Sequence, residues 1–111
     1  MMRPPLSRAA TALLRQILDR TNIPRVDVVI GDFRSTDWHS LTYEGERHEI
    51  SLRIRGNDAA QRAATLIEGI GDADLSLPGH IVADIAVVGT PITLDDGSVE
   101  VEFEALTLVD A

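Results

Sequence analysis

The chain has 111 residues and a formal net charge of −8, a length that fits a single domain spanning residues 1–111. It contains no cysteine and no lysine, which excludes disulfides, thiolate metal sites, P-loops and Schiff-base enzymes. The sequence has no apolar run of the roughly 18 residues that a membrane helix needs, and no apolar stretch follows Arg3, so we expect neither a membrane span nor a secretion signal.

The first part of the chain predicts one helix and one strand. Residues 6–19 place apolar side chains at helical spacing, and Pro24 prevents the helix from continuing. Residues 26–33 are rich in β-branched side chains and predict a strand. Residues 34–43 are polar and turn-prone, so we predict a loop. Trp38 inside it is either a candidate interface anchor or a side chain that folds back to cap the core.

The second part predicts three more strands and another helix. Residues 46–55 alternate apolar and charged side chains, the pattern of a half-buried strand. Residues 58–70 form an alanine-rich helix, and residues 75–79 a loop. Residues 81–88 and 98–109 complete the strands. The element order α-β-β-α-β-β predicts an α+β fold, a four-stranded, mainly antiparallel sheet with both helices packed on one face.

The alternation in two of these strands also predicts which side chains form the core. One face of each strand is apolar while the other is charged, so the apolar faces should lie beneath the helices. The expected core residues on the strands are Ile50, Leu52, Ile54, Val99, Val101 and Phe103.

Nothing in the sequence indicates a catalytic, cofactor or metal site. His39, His48 and His80 have no short metal-ligand spacing, and the apolar setting of His48 favours a hydrogen-bonded structural role. No Gly-x-Ser-x-Gly elbow and no dinucleotide-binding turn occur. Acidic residues are plentiful, so a small acidic hydrolase that uses carboxylates is an alternative.

The distribution of charge is uneven. All ten arginines lie at residues 3–62, whereas residues 63–111 hold ten acidic residues and no basic one. Glu100, Glu102 and Glu104 share one face of the last strand. This row is interpreted as a solvated face or a charge ladder with arginines of the central strand, as a contact with a neighbouring subunit, or as the lining of a passage for a polyanion. The ladder candidates are Arg47, Arg53 and Arg55.

Several short motifs together resemble the small tail-completion, or tail-terminator, proteins of long-tailed phages and gene transfer agents. The resemblance covers residues 26–109, and it includes the alanine-rich second helix and the final strand pair. Arg55 stands where that family commonly has a tryptophan. The motifs are Val28-Val29-Ile30-Gly31, Ser35-Thr36-Asp37-Trp38, Glu49-Ile50-Ser51-Leu52-Arg53-Ile54 and Leu77-Pro78-Gly79-His80.

The resemblance implies a structural protein, not an enzyme, without cofactor. It implies a ring, usually a hexamer, at the head-proximal end of the tail tube. There the ring stops tube growth and docks the head–tail connector, and DNA passes through its lumen without specific binding. The protein would be cytoplasmic before assembly and part of the particle tail afterwards.

The alternatives to this role are a head–tail connector, the small acidic enzyme, and a binding module for a basic protein. The last strand is apolar on both faces near its end, which indicates burial by a helix or by another subunit. We expect the acidic region of the last strand to be the surface that matters in the assembled state. The candidate interface residues are Trp38, Arg53, Arg55, Glu100, Glu102, Glu104, Leu106 and Leu108.

Overall fold

A computed structural model describes residues 6–20, 23–70 and 74–110. Within them, the two helices and four long strands follow the predicted order. A 3-10 turn and a two-residue strand, Ser76–Leu77, are additional. The elements are α1 (Arg8–Arg20), a 3-10 turn (Arg25–Asp27), β1 (Val28–His39), β2 (Glu44–Ile54), α2 (Ala59–Ile70), β3 (Ser76–Leu77), β4 (His80–Thr93) and β5 (Val99–Val109).

The strands form one curled antiparallel sheet in the order β1-β2-β5-β4-β3. The prediction of four strands is therefore wrong, because the segment predicted as a loop at residues 75–79 contains β3. Leu77 is buried and pairs with His80 across a two-residue connection, Pro78-Gly79. Gly79 has a φ of 73°, as the third residue of a proline-glycine turn requires. The buried leucine and the turn chemistry together create a hairpin.

β1 is longer than predicted. It continues to His39, so Trp38 lies on a strand and not in a loop, and the turn shrinks to residues 40–43. The Ser40 hydroxyl accepts the Tyr43 N–H at 2.9 Å and so holds this turn. The polar stretch can form a strand because β1 is an edge strand, whose two faces are largely exposed in this part.

The core lies between the sheet and the two helices. Every second residue from His48 to Ile54 on β2 and from Val99 to Thr107 on β5 faces this core and is at most 3% exposed. The face continues through Ala105 and the polar pair His48 and Thr107. Leu13 and Ile17 of α1 and Ala63 and Leu66 of α2 join the same cluster, so both helices pack on one face as predicted. The predicted strand core is confirmed for Ile50, Leu52, Ile54, Val99, Val101 and Phe103.

Local contacts fix the helices to this face. The Ser7 hydroxyl accepts the Ala10 N–H at 3.1 Å at the start of α1 and donates to the Glu46 carboxylate of β2 at 2.8 Å. Arg62 of α2 pairs with Asp27 at 3.1 Å. In the described part of the chain, no helix has both the length and the apolar character needed to cross a membrane.

Candidate functional site

The side of the sheet that faces away from the helices is the outer face. Since both helices lie on the inner face, no other element of the described residues covers the centre of the outer face. Its two central strands carry mostly charged side chains at one end and leucines at the other. The outer-face residues of β2 and β5 are Arg47, Glu49, Ser51 and Arg53, and Glu100, Glu102, Glu104, Leu106 and Leu108.

The charged end of the outer face contains a groove of about 510 Å³, here called the acidic groove. It runs over β2 and β5 between the bulge of β1 and Val88 of β4. Five carboxylates and a single guanidinium, that of Arg34, line it, so the groove is strongly negative. The carboxylates belong to Asp32, Glu49, Glu100, Glu102 and Glu104.

Only part of this negative charge is neutralised. Arg34 contacts Glu49 at 2.8 Å and Asp32 at 3.7 Å. Arg47 contacts Glu104 at 2.8 Å, which forms one rung of the cross-strand charge ladder considered in the sequence analysis. Glu100 and Glu102 form no ion pair within the described residues.

The other two arginines of the expected ladder do not complete it. Arg53 lies opposite Glu100 in the strand register, yet the described residues give it no ion pair, and its buried Nε has no hydrogen-bond partner there. Arg55 follows the last residue of β2 and is exposed, with its backbone N–H donating to the Asp27 carbonyl at 2.7 Å. The ladder is therefore incomplete, and two glutamates remain available to a partner.

The opposite end of the outer face, here called the apolar end, consists of Trp38, Ile81, Leu106 and Leu108. Pairing across the sheet brings Trp38 beside Gly45, Gly45 beside Leu108, and Leu108 beside Ile81. Trp38 and both leucines are half-buried, and Ile81 is 47% exposed. A side chain at Gly45 would overlap the Thr107 carbonyl oxygen, so glycine permits the close approach of β2 and β5 here.

A surface of opposite charge lies on the other side of the domain. α1 packs its apolar stripe on the inner face and exposes Arg8 and Arg15, here called the arginine row. Neither arginine forms an ion pair within the described residues. Arg20 donates to the Asp74 carbonyl at 2.6 Å, and Asp19 pairs with Arg25 at 3.4 Å. One domain thus presents a positive helix and a negative sheet face on opposite sides.

His48 is the only buried histidine of the described residues. Its Nδ1 is 2.7 Å from the Ser35 hydroxyl and its Nε2 is 2.8 Å from the Thr107 hydroxyl. Phe33 meets the imidazole edge-to-face at 6.1 Å. Burial lowers the pKa of His48, against an opposing effect of the Glu46 carboxylate. Both nitrogens have hydrogen-bond partners, an arrangement typical of a structural histidine.

The histidines do not converge on one site. His39 and His80 lie on strands β1 and β4, and His80 Nδ1 is 3.1 Å from its own turn at the Pro78 carbonyl. No group of three or more histidine, aspartate or glutamate side chains within the described residues has a geometry that could hold a metal ion. The arrangement on the outer face offers charge and apolar area for binding.

The glutamate row, Trp38 and the two leucines were identified from the sequence, but the groove wall on β1 was missed. Arg34 and Trp38, in the segment predicted as a loop, continue the period of two that begins at Asp32 in the predicted strand, and this alternation was the signal that could have placed them on one strand face. The arginine row was also missed, because its position opposite the groove depends on the packing of α1.

Comparison with known proteins gives no family: neither the models of protein families nor the curated proteins include a match to this sequence.

Proposed function

We propose that this protein is a ring-forming structural subunit of a phage-type tail, a tail terminator that sits at the head-proximal end of the tail tube. The observation that carries the proposal is the pair of oppositely charged surfaces on opposite sides of one domain, beside an apolar end that nothing in the described chain covers. The motif resemblance at residues 26–109 supports the same role.

The charge arrangement favours a head-to-tail contact between copies. Two acidic grooves facing each other would repel, as would two arginine rows, so a symmetric dimer through either surface is unfavourable. A contact between unlike surfaces repeats from copy to copy and closes into a ring where the rotation permits. A ring with a net charge of −8 per subunit would repel phosphates, so DNA could pass without being held.

The apolar end is assigned to the tail tube in this proposal. Half-buried tryptophan and leucine side chains beside exposed Ile81 form the type of patch that protein partners cover. Leu41 is fully exposed at the neighbouring turn and extends the patch. The end of the tube would then contact one end of the sheet, while the charged surfaces connect the subunits around the ring.

The test is to mix the purified protein with polymerising tail tube protein encoded near it and to measure tube lengths by electron microscopy. A terminator is expected to shorten the tubes and to add a ring at one end. Tubes that grow to the same lengths with and without the protein would contradict the proposal. Binding to the head portal complex but not to tubes would instead indicate the head–tail connector role.

A further inference from the structure

We infer that the outer face of one copy receives helix α1 of the next copy, with Arg8 and Arg15 entering the acidic groove beside Glu100 and Glu102. This is the repeating subunit contact of the proposed ring, and to that extent it rests on the proposed function. The partner that the outer face fits is thus a second copy of this chain.

The first argument is charge. In the described residues, two glutamates of the groove and two arginines of α1 form no ion pairs. Glu100 is half-buried and Glu102, Arg8 and Arg15 are exposed, so a neighbouring copy can reach all four side chains. When the two arginines of one copy lie against the two glutamates of another, positive charge faces negative charge across the contact. This pairing is favoured over any contact between two surfaces of the same charge.

The second argument is size. Glu100 and Glu102 are two residues apart on a strand, a distance of about 7 Å, and long, flexible arginine side chains can adjust to this spacing. Arg8 and Arg15 are seven residues apart on one side of a helix, about 10.5 Å along its axis. β1 and β4, which flank the groove, are separated by three strand spacings, about 14 Å. A helix about 10–12 Å across fits between them and runs along β5.

The third argument is topology. α1 lies on the inner side of the sheet and the groove on the outer side, so α1 of one copy cannot reach its own groove. Each copy therefore gives its helix to one neighbour and receives a helix from the other. This contact is directional, so repetition gives a ring where the rotation closes, and not a closed dimer.

Disulfide cross-linking tests the contact directly, because the chain has no cysteine of its own. Thr11→Cys lies on the exposed side of α1 between the two arginines, and Ser51→Cys lies in the groove, so both variants keep every charge. A mixture of the two single variants, free or bound to tail tubes, is expected to give a mixed disulfide dimer under mild oxidation. The matched control is Thr65→Cys, an exposed threonine on α2, mixed with Ser51→Cys.

Two outcomes of this assay overturn the inference. One is the absence of the mixed dimer both at the highest soluble concentration and on tubes. The other is an equal yield with the α2 control, because a specific contact must favour α1 over a second helix with the same substitution.

Charge reversal gives an independent measurement. R8E/R15E makes the helix acidic, and E100R/E102R makes the groove basic, so either change alone is expected to weaken self-association about tenfold or more in sedimentation velocity. A one-to-one mixture of the two variants pairs each helix with an opposite groove and should restore association. Two variants that stay as weakly associated together as apart, or that never differ from the original chain, would contradict the contact.

The contact and the terminator role can fail separately. If the protein caps tubes but gives no α1-to-groove cross-link, the contact is wrong and the function stands. If the cross-link forms and the reversed pair restores association while tube length is unaffected, the contact stands and the terminator role is wrong.

Discussion

The two faces of strand β5 differ both in burial and in the chemistry of their side chains. On the inner face, Val99, Val101 and Phe103 are at most 3% exposed and interlock with both helices. On the outer face, one residue away in each case, the glutamates are half-buried or exposed and contribute little packing. The fold therefore depends on one face, and the composition of the other face is free to serve binding.

The largest expected effect on stability comes from removing an aromatic side chain from the core. Phe103→Ala should lower the free energy of unfolding by about 3–5 kcal/mol, because the cavity cannot collapse fully in a core contacted by two helices. The adjacent Glu102→Ala on the outer face should change it by less than about 0.5 kcal/mol. Urea denaturation measures both, and similar losses for the two variants would remove the contrast between the faces.

A smaller loss of stability is expected at the apolar end, where β2 and β5 approach each other closely at Gly45. Gly45→Ala places a methyl group against the Thr107 carbonyl and should destabilise the protein by about 1–3 kcal/mol through the strand separation it forces. Gly69→Ala in α2 is the control with the opposite sign. Apart from its chain neighbours and the backbone of its own helix, no atom of the described residues lies within 4 Å of a methyl group there, so it should stabilise by about 0.4–1 kcal/mol. Thermal unfolding compares them, and a stabilised Gly45→Ala variant would disprove the close approach.

Because His48 is buried on the inner face, we expect the stability of the protein to depend on pH. Burial lowers its pKa below the ordinary 6.5, so the unfolded chain binds the proton more tightly than the folded protein. Stability should be complete above about pH 6.5 and fall as the pH drops towards the lowered pKa, by at most about 1.4 kcal/mol per pH unit.

The measurement is the free energy of unfolding against pH for the original chain and for His48→Gln, which should lose this slope. His39→Gln removes an exposed imidazole on β1 and serves as the control that keeps the slope. A slope that survives in His48→Gln would assign the pH dependence to other groups.

The smallest expected effect comes from the ion pair on the outer face. Glu104→Gln breaks the 2.8 Å contact with Arg47 and should cost about 0.2–1 kcal/mol at low salt, because both side chains are more than two-fifths exposed. The cost should decrease in molar salt. Glu102→Gln, which breaks no ion pair within the described residues, should cost less. A loss above that range, insensitive to salt, would mean that the outer face contributes to folding.

The inner face was predictable from sequence because burial leaves a periodic signal. Strands β2 and β5 and both helices were located within about two residues of their observed ends, and the core residues of these two strands were identified individually. β3 was missed because a two-residue strand has no period to detect. The position of β5 between β2 and β4 was not predictable, since it depends on pairing between segments far apart in the sequence.

The candidate site was predicted only in part for a related reason. The glutamate row of β5 is visible in the sequence, but the groove also needs Asp32 from the predicted strand and Arg34 from the part of β1 that was predicted as a loop. Which arginines neutralise which glutamates depends on the strand register. Arg47 reaches Glu104 whereas Arg53, directly opposite Glu100, forms no ion pair in the described structure.

The bulge at Gly31 shifts the alternation of inward and outward side chains along β1 by one residue. Before it, Ile30 pairs with Leu52 and faces inward; after it, Phe33 pairs with Ile50 and faces inward as well, although the two positions are an odd number of residues apart. A single inserted or deleted residue normally inverts every later side chain of a strand. Here one extra residue has been absorbed without inverting the core. Length variation in homologous chains should therefore concentrate at this position, because deletion of Gly31 would leave a regular strand in which Asp32 still pairs with Ser51 and Phe33 still pairs with Ile50 on the inner face.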